Sequence, residues 1–317
     1  MFLSLLIVIT GIILLYAGSE LVVRGGLALS RRFHIPPVLA GVIFMGLGTS
    51  SPELVVSIKA ALIQSGEVAV GNIVGSNISN LALVLGIAAL IWPVSVEKKI
   101  LTKEVPIVVA VSVVFMAIAA NGWISPVNGI LLLLGLAAYI WLIYRNHDSA
   151  AVFGDPAVNF ESTNPKEKMT TLFVRSFGII LGLFILIYGS ILTVNGSLEL
   201  AHLFQLSDAV VGLTIVAIGT SLPELATAIS ASIRKEGSFL LGGLIGSNIL
   251  NVLFVLGVTA LLGSIQLTDI TLIDLALMTI IAALIWPICR SDYQVSRLEG
   301  ATLLVIYIGY LGYLFSG

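Results

Sequence analysis

Long apolar runs separated by short polar breaks organise this chain from end to end. Runs of about 20 residues, the length a helix needs to cross a hydrocarbon core, fall near 2–23, 38–62, 68–92, 104–120, 126–144, 172–196, 210–233, 240–262, 270–289 and 300–315. The pattern predicts ten membrane-spanning helices. Between the fifth and sixth lies the one long polar stretch, Arg145 to Thr171, whose two prolines and mixed charge read as a flexible linker. It divides the chain into 1–144 and 172–317. Met1 to Tyr16 lacks the basic start and small-residue cleavage site of a signal peptide, so it reads as a retained first span.

The two halves repeat at a constant offset of 171 residues. Gly41 through Leu54 matches Gly212 through Leu225, and Gly71 through Asn80 matches Gly242 through Asn251. Membrane helices that resembled one another by composition alone would repeat Leu and Val. Here Thr, Ser, Pro, Glu and Asn recur at one register. Each half holds five spans, an odd number, so the second copy must enter the membrane from the side opposite the first. The expected fold is all-α, with ten transmembrane helices as two inverted five-helix repeats.

Composition agrees and adds orientation. The 317 residues are 58% hydrophobic and 10% charged, where an ordinary soluble domain has roughly 25% charged residues. This is an integral membrane protein. The single Cys289 leaves no internal disulfide framework and no cysteine metal cluster, and its simplest reading is a packed thiol near a helix end. Under the ten-span count, fourteen of the fifteen Lys and Arg residues fall on one side and only Lys59 on the other. By the positive-inside rule the basic side is cytoplasmic. The 145–171 linker is then cytoplasmic and both termini lie outside.

The candidate chemistry sits where the repeat is most polar. Gly48-Thr49-Ser50-Ser51-Pro52-Glu53 and Gly219-Thr220-Ser221-Leu222-Pro223-Glu224 each lie inside an apolar run, where a charged side chain costs about 2.5–3.5 kcal/mol on insertion scales. Carboxylates at such depth mark ion paths. Pro52 and Pro223 have no N–H and displace the carbonyl four residues back, so the carbonyls of Gly48 and Gly219 lose their helical donors. Carboxylate, hydroxyls and bared carbonyls form an all-oxygen set suited to a hard cation. Helical spacing places Thr49, Ser50 and Glu53 on nearly one face, as it does Thr220, Ser221 and Glu224, while Ser76 with Asn80 and Ser247 with Asn251 face inward one turn apart. The Gly71/Gly75 and Gly242/Gly246 pairs read as close helix packing, and either asparagine serves as interhelical glue or as a ligand. The duplication favours ligand. Glu20, Lys59, Glu67 and Glu199 lie toward helix ends and read as snorkelling side chains without a role.

The motifs Gly-Thr-Ser-x-Pro-Glu and Gly-Ser-Asn-x-x-Asn, twice over in inverted halves, resemble the sodium/calcium exchangers of the calcium/cation antiporter superfamily, with the length of prokaryotic members. The resemblance covers nearly the whole chain. It implies a central Ca²⁺ site on Glu53 and Glu224 with the carbonyls of Thr49 and Thr220. Flanking Na⁺ sites would draw on Ser50, Ser76, Ser221 and Ser247, with Ala217 and Gly46 at backbone-carbonyl positions. It also implies that the first and sixth helices slide against the core. Two departures stand out: some members carry aspartate where Asn80 or Asn251 stands here, and Ser51 replaces a leucine that Leu222 keeps in the other half. The proton/calcium branch has a second glutamate in the third-helix motif, absent here, which favours sodium as counter-ion. The resulting expectation is a Na⁺/Ca²⁺ antiporter without a cofactor, its partners being the two ions and the bilayer. A proton/calcium exchanger is the nearest alternative. A channel is disfavoured because no oligomeric filter loop is present, and an enzyme because the interior acids duplicate each other and no nucleophile is paired with a base.

Overall fold

The computed structural model describes residues 2–33, 35–62, 64, 66–152, 169–203, 217–267 and 272–316. They form ten helical segments, all at expected spans: α1 (Phe2–Phe33), α2 (Pro37–Leu62), α3 (Gly66–Ile91), α4 (Ile100–Ala119), α5 (Pro126–Val152), α6 (Met169–Leu203), α7 (Ala217–Thr220 and Leu222–Ile233), α8 (Gly237–Leu261), α9 (Leu272–Arg290) and α10 (Arg297–Ser316). Eight of these are long and apolar enough to cross a membrane among the described residues. The first part of the seventh expected span, 204–216, lies outside the described residues, as does 153–168 of the expected linker. The rest of that linker differs from expectation. α5 continues to Val152 and α6 starts at Met169, because helical hydrogen bonding extends past the end of the apolar run.

Contacts between the halves are reciprocal. A Cβ built on Gly11 would lie 2.8 Å from the Gly189 carbonyl, and one on Gly189 3.0 Å from that of Gly11. Gly18 and Gly182 meet in the same way, at 2.8 and 2.9 Å. Adding 171 to Gly11 gives Gly182, and to Gly18 gives Gly189, so each contact is the two-fold mate of another. Pairing descends along α6 as it ascends along α1, which makes these equivalent helices antiparallel. The halves are therefore inverted about an axis perpendicular to the helices. Gly86 against Gly300 and Gly129 against Gly257 repeat the reciprocity on the other flank.

Two short antiparallel bridges obey the same rule. β1 (Val94–Ser95) pairs with β4 (Gln294–Val295), and β2 (Trp123–Ile124) with β3 (Ile265–Gln266). Val94 opposite Val295 is the mate of Ile124 opposite Ile265. Gly122, at φ +74°, makes the turn into β2 that a side chain would strain. Reciprocal caps then start the last helix of each half: Ser125 with Asn128 before α5, and Ser296 with Glu299 before α10.

Burial ranks the helices. In the most apolar stretch of α8, 94% of residues are buried and in α3 78%, against 28% in α1 and α6 and 17% in α5. α3 and α8 are thus the centre, and the outer helices turn their apolar faces to lipid. α2 approaches α8 closely through glycine: a Cβ on Gly41 would sit 2.0 Å from the Phe239 carbonyl oxygen. Overpacking against rigid backbone costs about 1–3 kcal/mol. Gly41→Ala is therefore expected to lower the melting temperature in detergent, whereas Gly178→Ala, with nothing within 4 Å of its Cβ, leaves it unchanged. Equal melting of the two would remove the close approach.

Candidate ion-binding site

Both proline-centred motifs break their helices at equivalent residues. Ser50 has φ −75°, ψ 1° and Ser221 has φ −88°, ψ 4°, outside the helical basin in ψ. The expected single helical face is therefore two short helices meeting at a serine. Helical bonding resumes at once, since Leu54 N–H donates to Ser50 O at 3.1 Å and Leu225 N–H to Ser221 O at 3.0 Å. In α3 and α8 the motif asparagines stand at the mouths of wider, i→i+5 turns, Ser79–Val84 and Asn251–Leu256, a distortion common at functional sites. Gly41–Gly46 forms a third such turn just before the α2 break.

The breaks aim two carboxylates at the molecular centre. Glu53 and Glu224 are both fully buried. Ser76 Oγ donates to Glu53 Oε1 at 3.4 Å and Ser247 Oγ donates to Glu224 Oε1 at 3.2 Å, one the two-fold mate of the other. Glu53 also lies within electrostatic reach of Glu224. Ser50 and Ser247 are joined hydroxyl to hydroxyl at 2.6 Å, and because Ser247 commits its proton to Glu224, Ser50 is the donor. Thr49, donating to Met45 O at 2.7 Å, stands beside Glu224 and so carries the first half to the second carboxylate.

Around this centre lie buried oxygens with no hydrogen-bond partner: Glu53 Oε2, Glu224 Oε2, Asn80 Oδ1, Asn251 Oδ1 and Ser221 Oγ. Leaving such atoms unsatisfied costs about 1–3 kcal/mol each. These five are the ones that belong to residues expected at the site; Ser79 Oγ, next to Asn80, was not among those expected. Every donor identified is an oxygen of Glu, Ser, Thr or Asn, so the set fits a hard cation better than a transition metal.

The asparagines act as interhelical hydrogen-bonding residues and keep one oxygen each uncommitted. Asn80 Nδ2 donates to Asn248 Oδ1 at 3.0 Å and Asn251 Nδ2 to Asn77 Oδ1 at 3.1 Å, while each Oδ1 of Asn80 and Asn251 stays unpartnered. Asn77 and Asn248, which repeat in sequence but were given no role, complete the lattice. Asn77 Nδ2 donates to Asn248 O at 3.2 Å, and Asn248 Nδ2 donates to Asn77 O at 3.0 Å. Their recurrence inside the motif was the available signal.

Other expectations divide. Gly46 is buried, but its carbonyl already accepts Ser50 N–H at 3.2 Å, which leaves one lone pair. Ala217 opens the described part of α7. The carbonyl of Gly219, expected to be bared by Pro223, accepts Ser190 Oγ at 2.6 Å from α6. Thr220 Oγ1 reaches Asn72 Oδ1 at 3.3 Å, and Asn72 Nδ2 reaches Ser57 Oγ at 3.4 Å, an outlying polar group with glycine, Gly243, at the mate of Asn72. Ser51 points back to Leu47 O at 3.5 Å on an exposed face, away from the carboxylates. Of the glycine pairs, Gly242 and Gly246 pack on Val38 and Val42 as expected, whereas Gly75 meets no described residue within 4 Å. Glu20 does not snorkel. It accepts Ser230 Oγ at 2.6 Å, Arg24 at 2.7 Å and the Arg234 guanidinium, tying α1 to α7 on the basic face. Its mate is Ile191 and that of Ser230 is Lys59, so the other face lacks this bridge.

The model for the sodium/calcium exchanger protein family matches residues 3–145 and 175–316. The chain belongs to the sodium/calcium exchanger family. Similar relatives include the inner membrane protein YrbG of Escherichia coli K12, 32% identical over 99% of this chain and 98% of that protein. The sodium/calcium exchanger MaX1 of Methanosarcina acetivorans is 28% identical, over 98% of each chain. Among solved structures, the sodium-calcium exchanger NCX_Mj soaked with zero Na⁺ and Ca²⁺ superposes with TM-score 0.84 at 29% identity, covering 99% of both chains.

Within this family chain, the asparagine lattice holds α3 to α8 independently of any ion. Asn77→Ala leaves Asn251 Nδ2 without an acceptor, and one such buried group costs about 1–3 kcal/mol. Its melting temperature in detergent is expected to fall in ion-free buffer as well as in Ca²⁺. A variant that melts with the parent when ion-free would show that the lattice does not bear the packing.

Proposed function

We propose that the protein exchanges Na⁺ for Ca²⁺ across the cytoplasmic membrane, carrying Ca²⁺ outward by alternating exposure of one midplane site. The observation that carries this reading is the pair of buried carboxylates, Glu53 and Glu224, ringed by oxygens without partners. One Ca²⁺ balances their two charges. Glu53 and Glu224, with the carbonyls of Thr49 and Thr220, serve as Ca²⁺ ligands. Ser50, Ser76, Ser221 and Ser247, the Oδ1 atoms of Asn80 and Asn251, and the carbonyls of Gly46 and Ala217 serve Na⁺. The sodium/calcium exchanger relatives support sodium as the coupling ion. The inner-membrane relative supports the cytoplasmic membrane.

The described conformation is asymmetric across the site. Thr49 is buried while its mate Thr220 is partly exposed. The more exposed side is the one with few basic residues, which supports an outward-facing reading in which the Glu20 bridge lies on the closed, basic face.

Glu53→Gln and Glu224→Gln are each expected to reduce Na⁺-driven Ca²⁺ uptake in proteoliposomes to background while the protein stays monodisperse. A dication facing one carboxylate in a dry site is held too weakly. Wild-type rates in either variant would overturn the two-glutamate site. Uptake in the parent should follow an imposed Na⁺ gradient and ignore a pH gradient, and the reverse would assign proton coupling.

Orientation has its own measurement. A cysteine at Ser149, in a Cys289-free background, is expected to resist impermeant thiol reagent applied to intact cells. Ready labelling from outside would invert the assigned topology.

A further inference from the structure

The halves are equivalent in sequence at the site, yet three of their contacts are not. Ser50 bonds Ser247 at 2.6 Å, while its mate Ser221 has no partner on Oγ. On the lipid-facing pair, Ser190 of α6 donates to Gly219 O at 2.6 Å, while its mate Ser19 of α1 donates to Tyr16 O at 2.8 Å. Gly48 faces Leu183 of α6, so two-fold symmetry would put Ile12 of α1 against Gly219. Instead Gly219 faces Val194, again of α6. α1 and α6 remain symmetric about each other, as the Gly11/Gly189 and Gly18/Gly182 contacts require. The pair as a unit is therefore displaced from the symmetric position relative to α2 and α7.

Pro52 and Pro223 deprive the Gly48 and Gly219 carbonyls of their i+4 donors; here Gly48 O accepts a backbone N–H at the end of its helical segment instead, whereas Gly219 O takes Ser190 Oγ. A buried carbonyl without a donor is costly. Ser19 and Ser190 are both buried, at 1% and 6% exposure, and stand at equivalent places on the displaced pair. We propose that these serines are alternating positioning residues. Ser190 caps Gly219 in the arrangement described here, and Ser19 caps Gly48 in the arrangement obtained by exchanging the halves. Each cap fixes the peptide immediately before Thr220 or Thr49, and so sets the break at whichever end of the site the pair has reached. Neither serine touches an ion. A hydroxyl suits this handover because Ser19 keeps its proton satisfied on Tyr16 O, one turn back on its own helix, when it is not capping.

The proposal rests on the two-state reading above, and its signature is one of sign. Removing the Ser190 cap penalises only the present state, and removing the Ser19 cap penalises only the other. A reporter cysteine at Gly75, next to Ser76 and with no described residue within 4 Å of its Cβ position, is introduced into a Cys289→Ala background. Its modification rate by impermeant reagent, added from outside to right-side-out vesicles, reports the outward-facing population. Ser190→Ala is expected to slow modification severalfold and Ser19→Ala to speed it. The double variant should return toward the parent, and Ser190→Thr, which keeps the hydroxyl, should match it. A purely structural role would move both alanine variants in the same direction, and that result overturns the proposal. If Na⁺ and Ca²⁺ change the parent's rate but neither serine does, cap exchange fails and alternating access survives. A parent rate indifferent to both ions removes the two-state reading, and cap exchange with it.

Discussion

Two carboxylates at zero exposure inside a lipid-facing bundle form the constraint on which the rest depends. Neither can be left charged and uncompensated, and neither has a basic residue among its hydrogen-bond partners. Compensation must come from something mobile. The packing follows from that requirement: glycines bring backbones together, α3 and α8 take the centre, and serines and asparagines supply neutral oxygens that hold shape without cancelling the charge. A buried lysine would have cancelled the charge with a group that cannot leave.

Where polar groups bond supports the proposed division of labour between rigid and movable parts. α3 and α8 are cross-linked by amides whose partners lie on the opposite half, and the bridges β1–β4 and β2–β3 clamp connections from both halves. α1 and α6, by contrast, meet each other through glycine and touch the site's helices through side chains such as Leu183 and Val194. Apolar sliding contacts have nearby minima of similar depth, whereas an amide lattice has one. The Glu20 bridge and the Ser190–Gly219 contact are the polar exceptions on this pair, each without its two-fold counterpart among the described residues.

Much of this was legible in the chain. Ten apolar runs gave all ten helical segments, the 171-residue offset gave the inversion, and proline beside glutamate located both breaks. The misses have physical causes. α5 and α6 outrun their apolar stretches because hydropathy ends where lipid ends, while backbone hydrogen bonding does not. Glu20 was read as snorkelling because distance to a helix end says nothing of Arg234, which lies 214 residues away in the chain. The capture of the Gly219 carbonyl by Ser190 was hidden for the same reason, since local sequence shows the loss of a donor but not which neighbour replaces it. Asn77 and Asn248 repeated as faithfully as their neighbours, but a crossed amide lattice needs two helices in view at once.

Reciprocity of contact also carries a historical reading. An interface in which Gly11 meets Gly189 as Gly18 meets Gly182, and Val94 meets Val295 as Ile124 meets Ile265, is self-complementary. It is the kind of surface on which two copies of one five-helix chain, inserted in opposite senses, would pair. In such a homodimer every substitution appears twice and must tolerate its own image. Fusion lifts that rule. Asn72 opposite Gly243, Ser51 opposite Leu222 and Glu20 opposite Ile191 are changes that a single gene for both halves could not have made separately. They are what gives the two faces of a symmetric scaffold different chemistry.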